Sequence, residues 1–204
     1  MTSPYPWPDP PQHERLVVRL APGDDASSNV RVLEWAGEQF VGARPAEGDE
    51  LRLLPADPAL FCTPGLFDVQ INGYWGRDFK DVDQGAEGIR DLCWSIALSG
   101  STRFLPTITT DAIETMRAAM AHIHEACRRY PDVAAMVAGI HQEGPWISPH
   151  DGARGAHPLA HVAAPDLAEF ERLQHAAGGR IAMLTLAPEV EGALDFIRQV
   201  TGQG

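Results

Sequence analysis

The chain has 204 residues, of which 44% are hydrophobic and 22% charged, so it is long enough to bury a core and is composed like an ordinary globular protein. Collagen, a disordered tail and a small disulfide scaffold are excluded. Lys and Arg total 16 against 28 Asp and Glu, a formal net charge of −12 that repels nucleic-acid backbones and anionic membranes. A local cluster of Arg and backbone N–H groups still allows a small phosphorylated ligand.

Met1 to Gln12 holds five prolines and no basic flank before an apolar run, so 1–13 reads as an extended leader and not as a signal peptide. Residues 14–62 read as a small β module. Its expected strands are Leu16 to Leu20, Val30 to Leu33 and Glu50 to Leu54, separated by Pro-Gly-Asp and Glu-Gly-Asp turns, with no helical period. Cys62, Cys93 and Cys127 are odd in number and widely spaced, which fits neither a disulfide framework nor a zinc knuckle and points to the reducing cytoplasm. No apolar run approaches the ~18 residues of a membrane span.

Over 63–204 buried-looking apolar runs alternate with amphipathic segments, the pattern of βαβ units around a parallel sheet. Leu66 to Ile71 is a predicted strand and Glu87 to Leu98 a helix, with Ile89, Leu92, Cys93 and Ile96 on one face. Thr102 to Thr107 is the second strand, and a helix starting at Thr110-Asp111 runs to about Arg129. Val137 to His141 is the third strand, Asp166 to Ala176 the third helix, Ile181 to Leu186 the fourth strand. A fourth helix begins near Val190. Four such units are half of a (β/α)₈ barrel of ~250 residues, and only about 140 residues follow Pro64. Either the sheet is an open four-stranded one or the barrel is incomplete, and the end of the chain in a short helix with no terminal strand favours the second reading.

Ligands in parallel α/β folds bind at the carboxyl ends of the strands, so the residues just past each apolar run are the candidates. Gln70 and Asn72 lie two apart and share one side of an extended chain, as do His141 and Glu143. Glu143 there is a candidate metal ligand or general base. Each has a plainer reading: a strand-end polar residue that caps the next turn, a core histidine bonded to a neighbouring carbonyl at His141, a first-turn helix acid at Glu189. His122-Ile123-His124 has a metal-binding spacing but falls on a helix, where residues two apart point ~200° from one another and cannot share an ion. The loop from Ser148 to Ala164 contains Arg154, Gly155 and His157, enough to hold a polar or phosphorylated ligand, or else is a solvated surface loop.

Five blocks, Pro64 to Gly73, Gly100 to Thr107, His141 to Trp146, Gly155 to His157 and Leu186 to Glu189, resemble in order and spacing the N-acetylglucosamine-6-phosphate deacetylases of the amidohydrolase superfamily. The resemblance implies a (β/α)₈ TIM barrel of the amidohydrolase type, with about its first four βα units in this chain, and part of a small β-sandwich over 14–62. It implies one divalent metal, zinc or iron, and hydrolysis of N-acetyl-D-glucosamine 6-phosphate to glucosamine 6-phosphate and acetate by a cytoplasmic homodimer. Glu143 corresponds to a metal ligand, and Ala156 and His157 to substrate contacts. Gln70 and Asn72 stand where many superfamily members carry His-x-His, so the centre is mononuclear; with His141 they support the site.

A metal held by one carboxylate and two imidazoles lowers the pKa of bound water towards neutrality and polarises the amide oxygen. In the family the two histidine ligands follow strands five and six and the catalytic Asp follows strand eight. None falls within this chain, which therefore reads as an N-terminal portion without catalytic residues of its own. A second reading is a non-catalytic half-barrel completed by a partner chain. A cyclic-amide hydrolase would normally show His-x-His at Gln70-Ile71-Asn72.

Overall fold

The computed structural model describes residues 15–20, 29–37, 39–56 and 61–202, and the chain divides into two units, Met1–Pro64 and Gly65–Gly204. The Pro-rich leader and the Pro-Gly-Asp turn expected near residue 23 lie outside the described residues.

In the first unit β1 (Arg15–Arg19), β2 (Val30–Ala36) and β3 (Gln39–Pro45) form an antiparallel sheet in that order, with Val17 opposite Val32. Val17, Val18 and Val32 are its buried residues. The third expected strand, Glu50 to Leu54, is instead part of a 3-10 helix over Gly48–Leu53. Charge explains the difference: the Glu50 carboxylate takes the Glu47 backbone N–H at 3.1 Å and both terminal nitrogens of Arg44 at 2.6 and 2.8 Å, which favours a local turn over ladder pairing. The same hydrogen bonds from Arg44 and Glu47 pull the Glu50 pKa down to about 2. The strand that completes the sheet, β3, was not among those expected, because its Gly42 and its mixed polar pattern give no alternation.

The second unit is α/β. β4 (Leu66–Ile71), β7 (Ser101–Thr109), β8 (Ile140–Glu143) and β9 (Ile181–Thr185) form a four-stranded sheet in that order, parallel throughout. A short hairpin, β5 (Gly73–Tyr74) and β6 (Arg77–Asp78), follows β4. The helices are α1 (Gly85–Ala97), α2 (Ile113–Arg129), α3 (Pro131–Met136), α4 (Leu167–Ala176) and α5 (Ala193–Thr201). No helix among the described residues is long and apolar enough to cross a membrane.

The apolar faces read from the 3/4 spacing are buried at Ile89, Leu92, Cys93 and Ile96 on α1 and at Met116, Met120 and Ile123 on α2, while Ile113 is only partly buried against the same core. They close over Phe104 and Ile108 of β7 and over Val137 and Ile140. Each such side chain removed from water stabilises the unit by roughly 1.5–3 kcal/mol. A second cluster packs Trp146 edge-on to Phe196 (centroids 4.6 Å apart) and tilted against Phe170 (6.3 Å), tying the turn after β8 to α4 and α5.

Several boundaries move for identifiable reasons. α2 starts at Ile113 and not at Thr110, because Thr110 is buried and hydrogen-bonded at the strand end while Asp111 accepts the Ala112 N–H at 2.7 Å. Pro131 opens α3 instead of ending α2 in a loop, as a first-position proline can. The third strand is Ile140–Glu143, since α3 occupies the preceding residues up to Met136 and Val137 makes only an isolated bridge to Phe104. Nor are all four apolar runs buried. In β4, Leu66, Phe67 and Val69 are 64, 56 and 48% exposed, as befits an edge strand with one paired side.

Asp132 joins α3 to α1, accepting from Arg90 Nε at 2.8 Å and Trp94 Nε1 at 2.6 Å. Burial pushes its pKa up, but those two donors outweigh the burial and hold it below the usual range. A carboxyl with a lowered folded pKa stabilises fully above its unfolded value of about 3.9 and loses that contribution as pH falls through the folded value. Asp132→Asn is expected to cost about 1–2 kcal/mol at pH 7. In denaturation measured from pH 7 downward, the gap to the wild type should close in the acid range, and a pH-independent gap contradicts this account.

Gly144, at the end of β8, has φ +86°, and a Cβ placed there would lie 2.0 Å from Thr110 Oγ1. Gly144→Ala is therefore expected to destabilise by at least about 2 kcal/mol. An unchanged urea midpoint would refute the close approach.

Candidate functional site

The parallel register brings the carboxyl ends of β4, β7 and β8 to one rim, with Thr109 beside Glu143 and Glu143 beside Thr185. A cavity of about 310 Å³ opens there, lined by Gln70, Asn72, Glu143, Ala156 and His157 among others. Five residues singled out in the sequence thus share one cavity although they span 70–157. A larger apolar groove of about 920 Å³ runs beside β9 between α4 and α5, but no titratable side chain among the described residues lines it, so they offer no comparable chemistry there.

Glu143 is the hub of the cavity. Gln70 Nε2 donates to its Oε2 at 3.0 Å, and His157 Nε2 lies 3.3 Å from its Oε1; both Glu143 and His157 side chains are 16% exposed. Gln70 reaches Glu143 across β7, which is possible because alternate β4 residues point to the same side. Its backbone is fixed as well, since its N–H donates to Asp68 at 3.0 Å. His157 is presented by turns in the long loop, with Gly155 at φ +60°, and its Nδ1 meets Thr110 Oγ1 at 2.8 Å.

His141 does not enter the cavity. It is 3% exposed, with Nδ1 3.3 Å from Thr107 Oγ1 and Nε2 2.8 Å from Thr185 Oγ1. Burial pushes its pKa down against the opposing pull of the Glu143 carboxylate and the Val69 carbonyl. The ring is thereby favoured in its neutral form and links Thr107 of β7 to Thr185 of β9.

Among the other lining residues, Lys80, Thr110 and Asp111 carry no expectation of a site role from the sequence. Lys80 pairs with Asp111 at 3.1 Å, and His161, outside the lining, approaches the same carboxylate at 4.0 Å. Burial raises the Asp111 pKa, but the Ala112 N–H and Lys80 together bring it below the usual range. Thr110 and Asp111 immediately follow β7, so the strand-end rule applies to them, but their side chains also fit a helix start, which masks that signal. Lys80 follows the β5–β6 hairpin, and nothing in its sequence neighbourhood marks it.

Glu189 is not a first-turn acid, since α5 starts at Ala193. It lines an adjoining cavity of about 460 Å³ together with Glu143, Arg154 and His157. Arg154 is committed to the Pro149 carbonyl at 2.9 Å and to Asp151. His122 and His124 lie on α2, as read, and their Nδ1 atoms are buried without partners.

A catalytic zinc takes three protein ligands and an open position. Among the described residues no three His, Cys, Asp or Glu side chains converge in that way. Glu143 and His157 supply one carboxylate and one imidazole, which falls short of a complete centre. What these residues can do by themselves is accept a cation or a donor at Glu143 and hydrogen-bond a polar ligand through His157 and the amides.

No family model matches the chain. Curated relatives do: N-acetylglucosamine-6-phosphate deacetylases of Bos taurus, 34% identical over 144 residues, and of Bacillus subtilis, 32% over 148. The N-acetylgalactosamine-6-phosphate deacetylase of Escherichia coli O157:H7 is 32% identical over 147. These matches cover 69–72% of this chain and 34–37% of the relatives, so the chain spans about a third of their length. Among solved structures, the N-acetyl-D-glucosamine-6-phosphate deacetylase of Mycobacterium smegmatis superposes with a TM-score of 0.67 at 26% identity, over 87% of this chain and 48% of that one. The Thermotoga maritima enzyme gives 0.65 at 25% identity, over 84% and 42%. In sequence and in fold, the chain belongs to the N-acetylglucosamine-6-phosphate deacetylase family, of whose members it matches a part.

Proposed function

We propose that this chain carries the share of a deacetylase site that is built from the first four βα units of an amidohydrolase (β/α)₈ barrel, with the first unit part of a small β-sandwich. The observation that carries this reading is Glu143 at the end of β8, held by Gln70 at 3.0 Å and facing His157 in one cavity with Ala156. On this reading Glu143 gives one ligand to a single divalent ion, zinc or iron, and Ala156 and His157 contact the substrate. Gln70 orients the ligand carboxylate, the part that outer-shell hydrogen bonds take in metal sites. Asn72 lies where it completes the polar wall.

The substrate is N-acetyl-D-glucosamine 6-phosphate and the reaction is hydrolysis of its acetamide, carried out by a cytoplasmic homodimer. The relatives named above support this substrate class, as does the Mycobacterium smegmatis enzyme solved in complex with N-acetyl-D-glucosamine-6-phosphate. The described residues complete neither the ligand set nor the acid that must protonate the leaving amine. The 204-residue chain alone is accordingly inactive on this reading and binds metal weakly.

The test is acetate release and metal content, measured on this chain and on the polypeptide translated from the whole of its reading frame. Both N-acetylglucosamine and N-acetylgalactosamine 6-phosphates serve as substrates. Activity and a bound ion are expected in the second protein and not in the first. In that active protein Glu143→Gln should remove ion and activity together, and retention of both would sink the assignment. Gln70→Ala should weaken metal affinity or activity about 10–100-fold.

A further inference from the structure

Among the described residues β7 and β8 pair on both sides, whereas β4 and β9 have one ladder neighbour each, so the parallel sheet has two open edges. The β4 edge exposes Leu66, Phe67 and Val69. The β9 edge opens on the apolar groove of about 920 Å³, which exposes Ala182 and takes side chains from both faces of the strand. Natural edge strands are often blunted by lysine or proline. β9, Ile181–Thr185, has no charged residue and no proline. β4 has one charge, Asp68, and its carboxylate is turned to the Gln70 N–H. Such edges are surfaces for another strand.

The two edges suit each other. All four strands run in one direction, so β9 of one copy set beside β4 of another continues the sheet in parallel. Repeating the contact about a two-fold axis joins eight strands, the number that closes a (β/α)₈ barrel with a packed interior. No edge is then left over. The area is sufficient as well. β4 and β9 have six and five residues, so each edge is about 20 Å of strand, backed by a layer of sheet and helix of similar depth. One seam covers on the order of 400 Å² per chain, and the two seams together reach the roughly 800 Å² per partner of a stable interface.

We propose that two copies of the 204-residue chain associate head to tail, β9 of each against β4 of the other, and close an eight-stranded parallel barrel about a two-fold axis. The proposal rests on the barrel architecture of the reading above and on none of its chemistry. The carboxyl ends of all eight strands then share one rim, which carries the Glu143 cavity twice.

The experiment is sedimentation equilibrium of the 204-residue chain across a concentration series, where a limiting species of twice the chain mass is expected. Val69→Lys and Ala182→Glu each place a charge on one edge, and each variant alone should stay monomeric. A mixture of the two keeps one unmodified seam and should regain the dimer at higher concentration. A monomeric wild type overturns the proposal, and so do species that grow without limit, the mark of a contact that does not close. A variant that still dimerises alone overturns it too, since a β4-on-β4 or β9-on-β9 contact would spare one of the two. Should a variant not fold, amide hydrogen exchange of the wild type decides: exchange over 66–71 and 181–185 should slow as the chain concentration rises, and unchanged exchange there overturns the proposal. Acetate release enters none of these readings, so failure of the deacetylase reading and failure of this one are told apart.

Discussion

The second unit depends on β7. Its residues 104–108 are all buried, so desolvation of the backbone must be met by hydrogen bonds on both edges, and β4 and β8 supply them as parallel neighbours. Once those pairings are made, the register leaves no freedom at the rim. Ile71 lies beside Pro106, His141 beside Thr107 and Glu143 beside Thr109, so the carboxyl ends of three strands open on the same cavity. Thr107, buried among apolar residues, adds a polar tie: its hydroxyl accepts the Ile71 N–H at 3.1 Å and meets His141 on the other side.

Glu143 is held from both sides by groups that arrive on different elements, an amide from β4 and an imidazole from the loop after β8. Such a carboxylate is pre-oriented before any ligand arrives, which reduces the ordering cost of binding. The turn after β8 is anchored separately. Trp146 packs against Phe170 of α4 and Phe196 of α5, and its carbonyl accepts the Ala187 N–H at 2.9 Å, so the end of β9 and the end of β8 are fixed to one aromatic cluster. Although the chain carries a net charge of −12, the cavity wall includes Lys80 and His157 beside its acids, with Lys80 paired to Asp111.

Much of this was legible in the amino-acid order. The 3/4 spacing of Ile89, Leu92, Cys93 and Ile96 and the run Leu66 to Ile71 are local patterns, and their elements form where expected. Strand-end polar residues Gln70 and Glu143 were legible for the same reason. Where local patterns compete, the reading failed. Glu50 to Leu54 alternates like a strand, but three hydrogen bonds to one carboxylate turned it into a 3-10 helix. Thr110 and Asp111 look like a helix start, yet the hydroxyl and the carboxylate are used at the cavity and the helix waits until Ile113.

By itself the sequence determined the alternation of strand and helix after Pro64, the acids and amides at the strand ends and the five blocks shared with the deacetylases, because each is written within a few residues. Only the tertiary structure decided which of these residues meet. Thr110 lies 33 residues from Glu143 and 47 from His157, and Gln70 lies 73 from Glu143. No periodicity reaches that far; the distances close only when the parallel register of β4, β7 and β8 and the packing of the loop against them are set.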